Sequence, residues 1–150
     1  MRRRRAARIL LLNPAGEILL FRFSHVRGAL AGYSYWATPG GEVEADETYE
    51  AAAIRELAEE TGMVVDEVGD EICRRSFPLQ LADGERVIAE ERFFRVLAPH
   101  ERLSREGWTP LEIEVMAEHR WWSKDDLTKT EDRVFPEGLA DILGGLTPIP

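Results

Sequence analysis

After the first six residues, the N-terminal part of the chain alternates between short apolar runs and turn-forming residues. Residues 7–12 and residues 18–23 are mostly apolar runs, each with a single arginine, which are typical of buried strands. The turn-forming sequence of residues 13–16 separates them and predicts a hairpin. Residues 24–34 are predicted to form a loop, and the Pro-Gly-Gly sequence of residues 39–41 is expected to interrupt regular structure.

From residue 47 to residue 61 the pattern changes to that of a helix. The segment is rich in Ala, Glu and Leu, contains neither Gly nor Pro, and is followed by Gly62, a residue typical of helix ends. One stripe at helical spacing is predicted to pack against a sheet: Ile54, Leu57, Ala58 and Thr61. Three carboxylates fall on the opposite side, together with two small residues one turn earlier: Glu56, Glu59, Glu60, Ala52 and Ala53.

The segment after the helix predicts a second hairpin. Residues 72–81 and 86–97 have the composition of strands, and Asp83-Gly84 supplies a turn between them. Pro78 lacks the backbone donor of a central strand, so it indicates an edge or a bulge in the first of the two.

The remaining residues complete an α/β pattern. Residues 98–117 form a long acidic connection for which the sequence predicts no element, and a strand is predicted at 118–122. Ser123 is expected to cap a helix, and residues 136–143 to form a terminal one. Strands on both sides of a central helix predict one α/β domain over residues 1–150, built on a mixed sheet.

Charge and composition narrow the range of partners. The 28 acidic residues outnumber the 19 basic ones, so the formal net charge is −9 and no stable nucleic-acid complex is expected. Residues 1–6, with the run Arg2 to Arg5, are predicted to be a frayed basic N-terminus. The single cysteine, Cys73, forms no intrachain disulfide and no apolar run is long enough for a membrane span, so we expect a cytoplasmic protein without a membrane partner.

The glutamate face of the helix carries the candidate chemistry. Like charges at i, i+3 and i+4 repel one another, and a divalent cation between them would remove that repulsion. Glu56, Glu59 and Glu60 offer the oxygen ligands that Mg²⁺ and Mn²⁺ prefer. The alternative is a solvated acidic face on an amphipathic helix, since Glu is a good surface helix former. Gly40 and Gly41 precede the same helix and allow a close approach of the backbone, which favours the cation.

The segment from Gly41 to Met63 resembles the signature of the Nudix hydrolase family, and the chain is therefore similar to MutT-like pyrophosphohydrolases. The signature is Gly, five residues, Glu, seven residues, Arg-Glu, an aliphatic residue, one residue, Glu-Glu, one residue, Gly and an aliphatic residue. Every defined position is filled, with Met in place of a more usual aliphatic residue at the end: Gly41, Glu47, Arg55, Glu56, Leu57, Glu59, Glu60, Gly62 and Met63.

This resemblance implies a fold, an activity and roles for the signature residues. The fold is a Nudix-type α/β/α sandwich with a mixed sheet. The activity is hydrolysis of a nucleoside diphosphate linked to another moiety, with Mg²⁺ or Mn²⁺ as cofactor. By motif position, Glu56, Glu59 and Glu60 bind the metal and the Gly40 carbonyl is an extra ligand. Arg55 forms an ion pair with Glu47 that orients the glutamates, while the remaining signature positions are structural: Gly41, Leu57 and Gly62.

The identity of the general base stays open on the resemblance. Members of the family use a glutamate of the signature helix or one from a later loop, and the acidic connection offers several: Glu106, Glu112, Glu114 and Glu118. Glu56 is the first choice and Glu114 the second. Three residues near the early loop are candidates for substrate binding: Arg22, Arg27 and Tyr35.

Two other function classes compete with the hydrolase. A nucleotide-sensing module on the same fold would bind without turnover, but the complete glutamate set argues against it. An acidic protein-interaction domain would require the whole signature to be coincidence. The expected partner is a nucleotide-derived small molecule: a nucleoside triphosphate, ADP-ribose, a dinucleoside polyphosphate or a related nucleotide. By family habit a homodimer is also expected.

Overall fold

The computed structural model describes residues 1–147, which form eight strands and four helices. The strands are β1 (Arg2–Leu12), β2 (Ile18–Ser24), β3 (Ser34–Ala37), β4 (Gly40–Glu42), β5 (Glu71–Gln80), β6 (Arg86–Leu97), β7 (Met116–Trp122) and β8 (Val134–Phe135). The helices are α1 (Tyr49–Thr61), α2 (Pro110–Val115), α3 (Lys124–Lys129) and α4 (Leu139–Gly144).

All eight strands belong to one mixed sheet. The main path runs β5-β6-β1-β2-β3-β8, while β4 pairs with β1 and β7 pairs with β2. The pairs β1–β6 and β3–β8 are parallel, and the other pairs are antiparallel. Both predicted hairpins are present, and Pro78 lies on β5, the edge strand, as its missing donor requires.

The prediction of a frayed N-terminus over residues 1–6 is wrong. Strand β1 begins at Arg2 and pairs in register with β6 from Arg2 to Leu12. Its arginines are exposed or half-buried, and nearby carboxylates stabilise them: Arg2 pairs with Glu42 of β4 and with Glu85, which directly precedes β6. The run looked like a solvated tail because the partners that order it lie about 40 and 80 residues away along the sequence.

Two further expectations need correction in this region. The Pro-Gly-Gly sequence interrupts regular structure only at residues 38–39, because Gly40 and Gly41 begin β4 and pair with Arg8 and Ala7 of β1. The apolar stripe of the central helix is also rotated from its predicted position. Ile54 and Ala58 are half-buried, whereas the buried residues of α1 are Tyr49, Ala52, Ala53, Leu57, Glu60 and Thr61.

Helices cover both faces of the sheet, which confirms the α/β/α sandwich. On one face, Ala53 and Leu57 of α1 pack with Ile9, Leu11 and other sheet residues. On the other face, α3 and α4 cover a second cluster that contains Leu10, Leu20 and Trp122. Among residues 1–147, no helix has both the length and the apolar character needed to cross a membrane.

The C-terminal third differs in detail from its predicted pattern. The acidic connection is not without structure, because it contains helix α2, which Thr109 caps. Ser123 caps α3 as predicted. The terminal helix begins at Leu139 rather than residue 136, because Gly138 precedes it in a left-handed conformation with φ +75°. Trp122 packs in the cluster that includes Leu139, but Trp121 packs on the opposite face of the sheet.

Candidate active site

Helix α1 presents its glutamates beside the two glycines of β4. The side chain of Thr48 accepts a hydrogen bond from the Ala51 N–H at the helix start, and Gly62 ends the helix with φ +78°. The helix therefore begins within two residues of its predicted start and ends where the sequence predicts. This fixes the orientation of Glu56 and Glu60, which lie one turn apart.

Glu60 is the most buried carboxylate of the site, with 1% of its surface exposed. Its Oε1 accepts a hydrogen bond of 2.8 Å from the Gly40 N–H. Burial raises the pKa of Glu60 well above its ordinary value, and the neighbouring Glu56 and Glu112 raise it further. A carboxylate buried among carboxylates is costly for the protein unless a cation compensates it.

The two glycines of β4 serve different purposes: Gly40 is required by both conformation and space, whereas Gly41 makes room for a side chain. Gly40 has φ +143°, and a Cβ there would lie 2.1 Å from the Ala7 carbonyl oxygen. A Cβ on Gly41 would lie 2.5 Å from Oε1 of Glu56, so this glycine leaves the room that the Glu56 carboxylate occupies. The Gly40 N–H is used to bind Glu60. Its carbonyl as a metal ligand stays a prediction.

Helix α2 brings a third carboxylate to the pair. Ligand oxygens of Glu56, Glu60 and Glu112 lie within 4.8 Å of one another. From the sequence, Glu112 is only one of several candidates for the general base. A local signal was present, because Thr109 and Glu112 have the spacing of a capping box, and this predicts a helix start within the acidic connection.

Arg55 and Glu47 form the predicted ion pair. The guanidinium donates two hydrogen bonds to the Glu47 carboxylate, at 2.8 and 2.9 Å, and a third to the Glu42 carbonyl oxygen at 3.0 Å. These bonds lower the pKa of Glu47 to about 2 and raise that of Arg55. Arg55 also donates to Oε1 of Glu56 at 2.9 Å, which connects the ion pair to the carboxylate cluster.

Glu59 lies apart from this cluster. Its side chain is 44% exposed, and its Oε2 accepts a hydrogen bond of 3.2 Å from Arg55. Within residues 1–147 it is not part of the group whose ligand oxygens converge. Its role as a metal ligand stays a prediction.

The converging carboxylates fit a hard divalent cation. All the side-chain donors are carboxylate oxygens, the ligand type that Mg²⁺ and Mn²⁺ prefer. Burial raises the pKa of Glu56, as it does that of Glu60, although Arg55 acts in the opposite direction on Glu56. A cation among Glu56, Glu60 and Glu112 would offset both the burial and the mutual repulsion.

The residues predicted outside the signature have local partners. Glu114, the second choice as base, pairs with Arg27 at 2.6 Å. Arg22 pairs with Glu118 at 3.4 Å across the β2–β7 pair.

Tyr35 belongs to an aromatic cluster at the β2–β3 edge. Its ring stacks with Phe23 and His25, with centroids 5.4 and 5.7 Å away, and meets Phe135 edge-on at 5.6 Å. Its hydroxyl is 3.1 Å from Nε2 of His25, and burial raises its pKa. The substrate-binding roles of Arg22, Arg27 and Tyr35 stay predictions.

Known proteins resemble this chain in sequence and in fold. The NUDIX domain family model matches residues 2–140. An RNA pyrophosphohydrolase from Erythrobacter litoralis (strain HTCC2594) is 29% identical over 138 residues, covering 86% of this chain and 81% of that protein.

Solved structures of other proteins also resemble this chain in fold. The MutT protein from Methanosarcina mazei Go1 superposes with a TM-score of 0.67 at 26% identity, covering 95% of this chain and 91% of that one. An Ap4A hydrolase from C. elegans has a TM-score of 0.59 at 21% identity, with 93% and 92% covered, and shows likeness in fold.

Proposed function

The chain belongs to the Nudix hydrolase family and is a pyrophosphohydrolase, and from this premise we propose that it depends on Mg²⁺ or Mn²⁺ held by Glu56, Glu60 and Glu112. The proposed reaction is hydrolysis of the pyrophosphate linkage in a nucleoside diphosphate joined to another moiety. The observation that carries the metal dependence is the convergence of three carboxylates within 4.8 Å, one of them fully buried. We retain Glu59 and the Gly40 carbonyl as further proposed ligands.

The proposal assigns separate tasks to the residues of the site. When bound, the metal offsets the negative charge of the pyrophosphate and makes water a better source of nucleophile. Glu56 is the proposed acceptor of the water proton, because it lies in the cluster and Arg55 fixes one of its oxygens. Arg55 is itself held by Glu47, so its proposed task is to orient Glu56 rather than to contact the substrate.

The relatives suggest which substrates to test. One of them is named for hydrolysis of RNA pyrophosphate and another for hydrolysis of Ap4A, which share a phosphoanhydride attached to a nucleoside 5′ end. We propose this shared linkage as the bond that is cleaved. The panel therefore contains nucleoside triphosphates, ADP-ribose, a dinucleoside polyphosphate and 5′-triphosphorylated RNA.

A phosphatase-coupled assay tests the reaction class. A phosphatase that acts only on terminal phosphates releases little from intact ADP-ribose or a dinucleoside polyphosphate. After incubation with this protein and Mg²⁺ or Mn²⁺ it should release much more, and a chelator should abolish the increase. For the triphosphates, released pyrophosphate or orthophosphate is measured directly. Saturable binding without turnover across the whole panel would support the nucleotide-sensing module instead.

Two further proposals concern the setting of the enzyme. The lone Cys73 is half-buried and free, which is compatible with the reducing conditions of the cytoplasm, the proposed location. A homodimer is proposed from family habit, and sedimentation of the purified chain tests it.

A further inference from the structure

We propose that Thr109 is a positioning residue that holds the carboxylate of Glu112 beside Glu56 and Glu60. The inference rests on the proposed metal site, to which Glu112 contributes. Thr109 itself is exposed and acts only through Glu112.

Glu112 needs such support because its helix is short. Helix α2 has six residues, Pro110–Val115, and isolated helices of this length are unstable in water. Leu111 and Ile113 are exposed, and Val115 is the buried residue of the helix. The orientation of Glu112 therefore depends on how the start of α2 is fixed.

The segment before α2 is attached to the last turn of α1. Trp108 is buried, and its Nε1–H donates a hydrogen bond of 2.8 Å to the Glu60 carbonyl oxygen, which lies in the last turn of α1. Its ring meets Phe21 edge-on at 5.9 Å. The Ser104 N–H donates to the Thr61 carbonyl oxygen at 2.9 Å. The main chain of Glu60 is thus directly connected to the residue that precedes Thr109.

The two segments approach each other too closely for a side chain at Gly107 or Gly62. A Cβ on Gly107 would lie 2.6 Å from the Glu59 carbonyl oxygen, and one on Gly62 would lie 2.7 Å from Cβ of Ser104. Such distances leave the segment little freedom to shift along α1. Thr109 is therefore placed at a defined position relative to the glutamates of the helix.

A capping box connects Thr109 to Glu112. The Thr109 Oγ1 accepts a hydrogen bond of 3.1 Å from the Glu112 N–H, and Oε1 of Glu112 accepts one of 2.9 Å from the Thr109 N–H. The Thr109 N–H, a main-chain group, fixes one carboxylate oxygen of Glu112, and the Oγ1 bond, which Thr109→Ala would remove, fixes the first turn of α2 on which that contact depends. A metal ligand bound in this way is oriented before the metal arrives.

The chain contains a matched control for this cap. Helix α3 also has six residues and begins with a capping box, in which the Ser123 Oγ accepts from the Asp126 N–H at 3.0 Å and Oδ2 of Asp126 accepts from the Ser123 N–H at 2.9 Å. Asp126 is not part of the carboxylate cluster. Ser123→Ala should therefore cost stability as Thr109→Ala does, without an effect on the metal site.

The experiment measures Mn²⁺ affinity of the full chain by the electron paramagnetic resonance signal of free Mn²⁺, together with Tm. Thr109→Ala should weaken Mn²⁺ binding by about tenfold, Thr109→Ser should restore it, and Ser123→Ala should leave it unchanged. Glu112→Gln keeps an oxygen for the cap but removes the charge, and it should weaken binding by itself. In the Glu112→Gln background, Thr109→Ala should add no further loss.

The outcomes separate the inference from the proposed metal site. If Glu112→Gln lowers the Mn²⁺ affinity and Thr109→Ala does not, the positioning role of Thr109 is overturned. The proposed metal site is then unaffected. Equal losses from Thr109→Ala in both backgrounds also overturn the positioning role, because Thr109 would then act without Glu112. Unchanged affinity in Glu112→Gln contradicts the assignment of Glu112 to the metal site, and the positioning role fails with it.

Discussion

The guanidinium of Arg55 and the carboxylate of Glu47 are joined by two parallel hydrogen bonds, Nε to Oε2 at 2.8 Å and Nη2 to Oε1 at 2.9 Å. The planar fork of arginine matches a carboxylate in this way, and lysine does not. Because Nη1 also donates to Oε1 of Glu56, the same side chain connects the residues before α1 to the carboxylate cluster. The ion pair therefore determines where one oxygen of Glu56 points.

Arg55→Lys tests this link. The substitution keeps the positive charge but cannot make the fork and the bond to Glu56 together, so kcat/KM should fall by about 10–100-fold with the fold retained. Arg74→Lys is the control, since Arg74 forms an exposed pair with Glu71 away from the cluster and should keep full activity. Steady-state kinetics with saturating metal gives the result. Equal activity in both variants would show that Glu56 does not depend on Arg55.

Glu47 should make stability depend on pH. Its pKa in the folded protein is about 2, below the ordinary value of 4.5, because Arg55 donates to the ionised form. The folded state therefore binds fewer protons than the unfolded state between these values, and the stabilising effect is lost as the pH falls. Urea unfolding should show a stability advantage over Glu47→Gln that is complete above about pH 4.5 and shrinks towards about pH 2. A constant difference over that range would contradict the ion pair.

Glu60→Gln should stabilise the metal-free protein. The amide keeps an acceptor for the Gly40 N–H but removes a buried charge beside Glu56 and Glu112. A gain of about 1 kcal/mol, or roughly 2–4 °C in Tm, is expected in chelator. Added Mn²⁺ should raise the Tm of the wild type but not that of the variant. Glu50→Gln, on the exposed first turn of α1, is the control and should respond as the wild type does.

Deletion of residues 2–5 should destabilise the protein. It removes the first part of the parallel pairing with β6 and the ion pairs of Arg2 with Glu42 and Glu85. Thermal unfolding should show a Tm lower by several degrees. Arg2→Ala is the comparison and should lower the Tm much less, since exposed ion pairs contribute little to stability. An unchanged Tm after the deletion would mean that this part of β1 contributes nothing to stability.

Local signals predicted much of the fold. Gly62 ends α1 because the left-handed conformation at a helix end favours glycine, and Asp83-Gly84 joins β5 and β6 because such turns need the same freedom. Arg2 to Arg5 were misassigned for the opposite reason. Four consecutive arginines give no strand signal of their own, although a strand is predicted from residue 7, and the pairing that extends this strand to Arg2 comes from β6.

The site was predictable where it depends on the helix alone. The spacing of Glu56 and Glu60 places them on adjacent turns, and the pairing of Arg55 with Glu47 followed from the signature. The burial of Glu60 was missed because its environment comes from Gly40 and from the segment around Trp108. Glu112 was missed for a similar reason, since only the packing of α2 brings it close to Glu56 and Glu60 of α1.

Hydrolysis of an intact pyrophosphate linkage by the wild type and by Glu60→Gln tests the central claim most directly. Chromatography of both product halves from ADP-ribose or a dinucleoside polyphosphate would identify the bond that is cleaved. The account predicts cleavage by the wild type and by Glu50→Gln only with Mg²⁺ or Mn²⁺ present, and a loss of several orders of magnitude in Glu60→Gln. Cleavage that persists in chelator, or at the wild-type rate in Glu60→Gln, would contradict it.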